Sequence, residues 1–194
     1  MRRFPLSEKK LRPAVFLDRD GTITEEVGYL NHISRFRLLD GVAEAIRRLN
    51  EAELPVVVVT NQSGVGRGYF PEELVREVHE RMIVELRAKG ARLDGVYYCP
   101  HVTADECVCR KPNTGMLNEA ASGLGLDLKK SFVVGDREGD VVLAFRAGAR
   151  SVLVRTGFGE GELAWNAKNW PQQPEFVAAD LSDAVGWILK EVQR

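Results

Sequence analysis

Apolar runs and stretches of helical period alternate along the chain from residue 14 onward. Short runs rich in β-branched residues predict buried strands, whereas apolar residues three and four positions apart predict helices with one buried face. The predicted strands are 14–17, 56–59, 96–98, 131–134, 151–154 and an edge strand at 176–178. The predicted helices are 42–52, 71–89, 115–123, 141–147 and 182–192, the last one capped by Ser182. Residues 157–161 are predicted to form a flexible loop, and residues 165–175 fit neither pattern.

This alternation predicts an α/β fold with a doubly wound, mostly parallel sheet and helices on both faces. A length of 194 residues suits one domain, so we expect a single domain over 1–194, with an N-terminal extension at 1–12. No long insertion separates the predicted elements. We therefore expect no large cap domain over the carboxyl edge of the sheet, where such folds bind their ligands.

Polar residues follow four of the predicted strands. Asp18 and Asp20 follow the first strand, Thr60 the second, Lys111 comes soon after the third, and Asp136 and Asp140 follow the fourth. Because the carboxyl ends of parallel strands share one edge of the sheet, we expect these side chains to converge. Two nearby carboxylates repel each other unless a cation lies between them, so Asp18 and Asp20 indicate a divalent cation.

These residue types suit phosphoryl transfer. A carboxylate can attack phosphorus and form an aspartyl-phosphate, which splits one difficult displacement into two easier ones. A second carboxylic acid can protonate the leaving alkoxide and later deprotonate the attacking water. A bound cation cancels the repulsion between nucleophile and phosphate, while a hydroxyl and an ammonium group bind the remaining oxygens.

All three cysteines of the chain lie in one short segment that also contains a histidine. Cys99, His101, Cys107 and Cys109 form a Cys₃His set of the kind that binds tetrahedral Zn²⁺. An odd number of cysteines in so short a segment favours a metal over disulfides. Four ligands leave no open position, so we expect a structural zinc-binding loop at 99–109. Bound zinc would fix the segment that carries Lys111.

The segment 18–22, together with Thr60, Lys111 and the segment 135–140, resembles the four motifs of the haloacid dehalogenase (HAD) superfamily. The resemblance implies a Rossmann-like fold and a Mg²⁺-dependent phosphatase. It implies that Asp18 is the nucleophile and Asp20 the general acid and base, and that Thr60 and Lys111 hold the phosphoryl group. Mg²⁺ would lie between the Asp18 carboxylate, the Asp20 backbone carbonyl and Asp136, with Asp140 supporting these ligands from behind.

Further segments, at 28–29, 60–68, 97–101 and 109–112, resemble one branch of that superfamily, the phosphatases of heptose bisphosphates. The resemblance implies a sugar phosphate substrate, with Arg110 binding its distal part. The implied substrate-binding residues are Glu26, Val27, Gly28, Tyr29, Thr60, Asn61, Gln62, Ser63, Arg67, Arg110 and Lys111. The short spacing between His101 and Cys107 resembles histidinol-phosphate phosphatases instead. The sequence therefore leaves histidinol phosphate, or a broader range of small phosphate esters, as alternative substrates.

The charge balance narrows the classes of partner. Lys and Arg number 27 and Asp and Glu 28, so the net charge of −1 gives no electrostatic basis for binding nucleic acid or an anionic membrane. The N-terminal segment lacks the apolar core of a signal peptide, so we expect a cytoplasmic protein. No long apolar helix face demands a partner, so we expect a monomer.

Two other classes of protein share part of this pattern. A receiver-like phospho-acceptor also places Asp, Thr and Lys at strand ends, but it does not need an acid two residues beyond the phosphorylated carboxylate, where this chain has Asp20. A nucleic-acid zinc knuckle would share the cysteines, but such modules depend on basic surface and exposed aromatic residues. The pattern therefore favours the phosphatase.

Overall fold

The structure is a computed structural model, and it describes residues 11–193. Of the predicted N-terminal extension at 1–12, only Leu11 and Arg12 belong to the described residues; the rest lies outside them. Arg12 forms a parallel bridge with Leu126. Its backbone N–H donates to the Gly125 carbonyl (3.2 Å), and its own carbonyl accepts from the Asp127 N–H (2.8 Å). The end of the extension is therefore tied to the segment 125–127.

Within the described residues, six strands form one parallel sheet. They are β1 (Val15–Leu17), β2 (Val56–Asn61), β3 (Gly95–Cys99), β4 (Phe132–Gly135), β5 (Arg150–Val154) and β6 (Phe176–Ala178). Their order across the sheet is β3-β2-β1-β4-β5-β6. β1 thus lies at the centre, where the direction of winding reverses, and such a reversal opens a crevice at the carboxyl ends of the strands.

Helices cover both faces of this sheet. They are α1 (Val42–Glu51), α2 (Glu72–Ala88), α3 (Gly115–Leu124), α4 (Glu138–Ala147), the single turn α5 (Gly159–Gly161) and α6 (Leu181–Val192). Buried side chains of α1, α2 and α6 pack with one face of β1 and β2. Those of α3 and α4 pack with the opposite face. The predicted α/β fold with helices on both faces is confirmed.

Alternation along β1 connects it to both layers. Val15 and Leu17 belong to the core beneath α1, α2 and α6, whereas Phe16 belongs to the core beneath α3 and α4. All three side chains are fully buried. A strand that is buried on both faces reads as an uninterrupted apolar run, which is why the sequence pattern identified it.

Several elements are longer than predicted, among them β2 and α4. β2 continues through Asn61 because Thr60 and Asn61 keep parallel register with Tyr98 and Cys99 of β3. α4 begins at Glu138, three residues before the predicted start. The Asp140 side chain accepts a hydrogen bond from the Arg137 N–H (3.3 Å), which satisfies one of the free donors at this helix end.

The cap of α6 was predicted wrongly. The N-cap is Asp180, whose carboxylate accepts from the Asp183 N–H at 2.9 Å, and Ser182 lies inside the helix. Asp and Ser are both good N-caps, so the sequence alone did not separate two candidates that are two positions apart.

The segment between β5 and β6 is also more regular than expected. The predicted flexible loop at 157–161 contains α5, and a π-helical turn (Glu162–Asn166) and a 3₁₀ turn (Ala167–Asn169) follow it. Trp170 then packs with Val141 and Leu153 in a small separate core. Leu163 and Ala167 pack into the same small core, so the segment rests on three apolar residues, too short a helical pattern to be predicted from the sequence.

No helix among residues 11–193 is long and apolar enough to cross a membrane. The cytoplasmic location and the monomeric state stay predictions.

Candidate active site

Three carboxylates and one ammonium group meet at the carboxyl edge of the sheet. Asp18 follows β1 directly, and Asp136 follows β4. One oxygen from each of Asp18, Asp136 and Asp140 lies within 4.8 Å of the others. Lys111 Nζ lies 2.9 Å from Asp18 Oδ1 and 2.6 Å from Asp140 Oδ1. The convergence expected from the strand ends is therefore present, and all four side chains are buried.

Crowding and burial change the proton affinity of these groups. Burial raises the pKa of Asp18 to about 6, because the attraction of Lys111 only partly offsets the loss of water and the repulsion from Asp140. Burial, together with repulsion from Asp18 and Asp140, raises the pKa of Asp136 to about 8. Burial alone would lower the pKa of Lys111, but Asp140 and Asp18 raise it above its usual value.

The acidic cluster fits a divalent cation. Asp136 Oδ2 accepts from the Phe158 N–H at 2.8 Å. Among the described residues, Asp136 Oδ1 is one of three buried side-chain polar atoms without a hydrogen-bond partner. An orphaned carboxylate oxygen beside two further carboxylates is the donor set that a hard cation prefers. Asp140 Oδ1 also accepts from Lys111 Nζ at 2.6 Å, and its predicted place behind the metal ligands stays a prediction.

Asp20, the predicted general acid and base, faces the same site from the turn after β1. Its carboxylate accepts from Arg19 and from Gln62 Nε2, which lies 2.9 Å from Oδ2. The same Gln62 nitrogen lies 2.9 Å from Thr60 Oγ1. The Gln62 amide therefore links the predicted acid to the predicted phosphate-binding hydroxyl.

Asn61 connects β2 to the segment that carries Lys111. Its Nδ2 donates to the Lys111 carbonyl at 3.1 Å, and its Oδ1 accepts from the Lys111 N–H at 3.0 Å. This two-bond clamp fixes the backbone of Lys111. Asn61 therefore positions Lys111, and it also lines the cavity at this site.

A cavity of about 510 Å³ contains the predicted residues in its wall. All the predicted substrate-binding residues line it except Val27. Val27 packs against the apolar core, and its carbonyl accepts from Arg35 Nη2 at 3.0 Å. Asp18, Asp20 and Asp140 also line the cavity, whereas Asp136 is fully buried behind it.

Six further residues line the cavity without having been singled out from the sequence. They are Leu30, Gly64, Phe70, Arg137, Gly139 and Phe158. The Arg137 guanidinium stacks on the Phe158 ring (3.7 Å to the centroid) and lies 3.6 Å from a Glu26 carboxylate oxygen. Arg137 lies in the segment after β4, and Phe158 lies in the segment after β5. Their position beyond the ends of predicted strands is the signal that could have identified them as site residues.

The four predicted metal ligands of the loop 99–109 also converge. The three Sγ atoms are 3.1 to 3.5 Å apart, and His101 Nδ1 lies 3.3 Å from Cys109 Sγ and 3.5 Å from Cys99 Sγ. A disulfide needs about 2.05 Å between its sulfurs. A tetrahedron of ligands around zinc, with Zn–S bonds of about 2.3 Å, has edges of about 3.8 Å. The cluster could therefore hold a metal ion of this kind.

Comparison with known proteins agrees with this geometry. A HAD-hydrolase-like family model matches residues 108–184. The D-glycero-D-manno-heptose-1,7-bisphosphate 7-phosphatase of Thermosynechococcus vestitus is 44% identical over 188 residues, covering 91% of this chain and 95% of the relative. The D-glycero-β-D-manno-heptose-1,7-bisphosphate 7-phosphatase of Escherichia coli K12 is 43% identical, covering 93% of this chain and 97% of the relative.

A solved structure is similar over the same range. The crystal structure of D,D-heptose 1,7-bisphosphate phosphatase from B. bronchiseptica, complexed with magnesium and phosphate, matches with a TM-score of 0.85 and 34% identity. The match covers 92% of this chain and 99% of that chain.

Proposed function

The chain belongs to the D-glycero-D-manno-heptose-1,7-bisphosphate 7-phosphatase family of HAD-like hydrolases, and from this premise we propose that it removes the 7-phosphate of D-glycero-D-manno-heptose 1,7-bisphosphate. The observation that carries the proposal is the buried cluster of Asp18, Lys111 and Asp136 in and behind the wall of a cavity large enough for a sugar phosphate.

We propose that the reaction runs in two steps, with the residue roles that the HAD motifs imply. Asp18 attacks phosphorus and becomes an aspartyl-phosphate, while Asp20 protonates the oxygen of the departing alcohol. Asp20 then takes a proton from the water that attacks the aspartyl-phosphate, which releases phosphate and regenerates Asp18. Thr60 and Lys111 bind the phosphoryl oxygens in both steps, and loss of one such donor typically costs about a hundredfold in rate.

Mg²⁺ is the cation that we propose for the acidic cluster, held by the Asp18 carboxylate, the Asp20 backbone carbonyl and Asp136, with Asp140 behind them. It would offset the charge of both the nucleophile and the phosphate. The orphaned Asp136 Oδ1 supports this assignment. The heptose phosphatase from B. bronchiseptica was itself crystallised with magnesium and phosphate.

The cavity wall suggests how the rest of the substrate is held. Glu26, Gly28, Tyr29, Asn61, Gln62, Ser63, Arg67 and Arg110 would surround the sugar and its second phosphate. Arg110 is the cation that we assign to the distal phosphate. Its Nη1 donates to the His101 carbonyl at 3.1 Å, which ties its position to the cysteine cluster.

We propose that the cysteine cluster binds a structural Zn²⁺. Its four ligands leave no open position for a substrate or water. The ion would hold the loop 99–109 that leads to Arg110 and Lys111, so its effect on the reaction would pass through the position of these two cations.

The test is phosphate release from heptose 1,7-bisphosphate and from histidinol phosphate, measured side by side with Mg²⁺ present. We expect the heptose ester to have the higher kcat/KM and Asp18→Asn to abolish release from both. Asp40→Asn, at an exposed position away from the cavity, is the matched control and should behave as wild type. Preference for histidinol phosphate would overturn the substrate, and an active Asp18→Asn variant would overturn the nucleophile.

A further inference from the structure

A buried arginine lies between the two predicted catalytic acids in sequence and contacts the second one in space. Arg19 is 2% exposed. Its Nε lies 3.0 Å from Asp20 Oδ1, and its Nη2 lies 2.7 Å from Asp20 Oδ2 and 2.9 Å from Oδ1. The guanidinium therefore grips both oxygens of Asp20 from one side, in the fork geometry that only arginine provides.

A histidine holds the other end of the guanidinium. His79 of α2 is buried, and its Nε2 lies 3.2 Å from Arg19 Nη1. Arginine has only donors, so Nε2 must accept, which places the imidazole proton on Nδ1. Burial and the Arg19 charge lower the pKa of His79 to about 3, so the ring stays neutral and able to accept.

The network continues into β3. The His79 ring packs edge-on against Tyr98, with 5.3 Å between ring centroids, and the Tyr98 hydroxyl donates to Glu72 at 2.5 Å. Arg19 is thus held by His79 of α2, whose ring in turn packs against Tyr98 of β3. Burying a charged side chain is costly unless it is paired, and Asp20 is the carboxylate that pairs with Arg19.

Resting on the function proposed above, we infer that Arg19 is a positioning residue that holds the Asp20 carboxyl group for proton transfer, and that His79 acts through Arg19. The pairing stops the Asp20 side chain from rotating away from the leaving oxygen. Two uncharged donors complete the contacts of this carboxylate: Gln62 Nε2 lies 2.9 Å from Oδ2, and Thr24 Oγ1 lies 3.3 Å from Oδ1.

Asp20, not Arg19, carries the proton in both steps. When the phosphorus–oxygen bond of the substrate breaks, the Asp20 proton moves to the departing alkoxide, and the carboxylate that remains faces the Arg19 cation. When water attacks the aspartyl-phosphate, one water proton returns to Asp20. Arg19 therefore holds the group in both protonation states without exchanging a proton itself.

The experiment compares two leaving groups in the first turnover. An alkyl phosphate such as a sugar phosphate needs protonation of its leaving alkoxide, whereas 4-nitrophenyl phosphate releases a stable anion without it. We expect Arg19→Leu to lower alcohol release from the alkyl ester by about 100-fold and nitrophenol release by less than about threefold, which is the pattern expected for loss of a general acid.

Several variants separate positioning from charge and from folding. Arg19→Lys keeps the charge but cannot grip both oxygens, so it should keep most of the defect. Arg19→Leu combined with Asp20→Asn should lose no more than Asp20→Asn alone, because the two residues act as one unit. Arg47→Leu, which removes an exposed arginine that pairs with Glu44, is the control and should match wild type.

His79 provides an independent test, should Arg19→Leu fail to fold. His79→Gln keeps an acceptor and should resemble wild type, whereas His79→Leu should slow only the alkyl ester. Equal losses on both esters, or full activity of Arg19→Lys, would overturn the inference. Failure of the proposed function would look different, because then neither ester would depend on Asp18.

Discussion

At the scale of single residues, the packing around Asp136 leaves room only for glycine at two neighbouring positions, Gly21 and Gly157. Gly21 has φ +78°, and a Cβ there would lie 2.1 Å from Asp136 Oδ2. Gly157 approaches the same oxygen from the turn after β5, where a Cβ would lie 2.2 Å away. The two glycines therefore let two loops close directly onto the carboxylate that we assign to the metal.

Gly21→Ala should damage the metal site rather than only the backbone. The left-handed conformation costs an alanine about 1 to 2 kcal/mol, and the clash in addition pushes Asp136 out of place. A displacement of about 1 Å at a catalytic group can cost about 100-fold, so we expect a loss of this order in Mg²⁺-dependent kcat/KM.

Gly41→Ala is the matched control for this substitution. Gly41 has φ +76°, almost the same as Gly21, but a Cβ there would meet nothing within 4 Å. Urea unfolding should show the backbone cost in both variants and the further cost of the clash in Gly21→Ala, while activity should fall only in Gly21→Ala. Equal activity of the two variants would contradict the role given to the packing around Asp136.

At the scale of elements, the end of β2 is joined to the segment after the cysteine cluster by one side chain. Asn61 is the last residue of β2, and Lys111 lies in the segment after β3. The two hydrogen bonds of the Asn61 side chain join them without sheet pairing. The same clamp occurs far from the site. Asn50 donates to the Arg92 carbonyl at 3.0 Å and accepts from the Arg92 N–H at 2.8 Å.

This repetition makes Asn50→Ala the control for Asn61→Ala. Each substitution removes two neutral hydrogen bonds, so each should lower the free energy of unfolding by about 1 to 3 kcal/mol. Only Asn61→Ala should reduce kcat/KM, by about 10-fold to 100-fold, because only that clamp positions a phosphate-binding ammonium group. Similar kcat/KM values for the two variants would show that Lys111 does not depend on the clamp.

The cysteine loop offers a second test at this scale. A zinc-selective chelator, followed by assay in excess Mg²⁺, should raise KM for the heptose ester about tenfold while Asp18 still forms the aspartyl-phosphate. The reason is that Arg110 and Lys111 lose the support of the loop, whereas β1 keeps its place in the sheet. Metal analysis before and after chelation checks the treatment, and an unchanged KM in zinc-free protein would contradict the prediction.

The elements were predictable where burial alone determines them. β1 and β2 are buried on both faces, so their apolar runs identified them directly. Element ends depend on single hydrogen bonds, such as the Asp180 cap of α6, and therefore differed from the predictions by a few residues. The segment before β6 is held by Leu163, Ala167 and Trp170, and three apolar residues are too short a pattern to predict a helix.

The candidate site was predictable to the level of residue type and edge of the sheet. Asp18, Lys111 and Asp136 follow strands, so topology alone brings them together. The contacts of Arg19 with His79 could not be foreseen, because they join residues 60 positions apart through the orientation of α2. The sequence offered His79 only as a polar residue within a helix.

At the scale of the whole molecule, the fold holds like charges together at the centre of its sheet. Asp18, Asp136 and Asp140 are buried together, and Lys111 pairs with Asp18 and Asp140 only, so part of the negative charge is uncompensated when no metal is bound. The raised pKa values of Asp18 and Asp136 follow from this arrangement. The stability of the metal-free protein should therefore depend on pH in a defined direction.

The direction follows from proton linkage. An Asp that has a raised pKa in the folded state binds its proton more tightly there than in the unfolded chain, where its pKa is about 3.9. Its stabilising contribution is complete below about pH 4 and is lost as the pH rises through the folded value, which is about 8 for Asp136. Bound Mg²⁺ favours the ionised carboxylates and should remove this loss.

We therefore expect the increase in Tm caused by Mg²⁺ to be larger at about pH 8.5 than at about pH 6, by about 3 °C or more, since about 1 kcal/mol corresponds to about 2 to 4 °C for a chain of this size. Asp136→Asn, which keeps the shape without the charge, should flatten the pH dependence of the metal-free protein and reduce the Mg²⁺ effect. Asp40→Asn should change neither. An increase in Tm that is the same at both pH values would mean that the Asp136 carboxylate is already ionised before the metal binds.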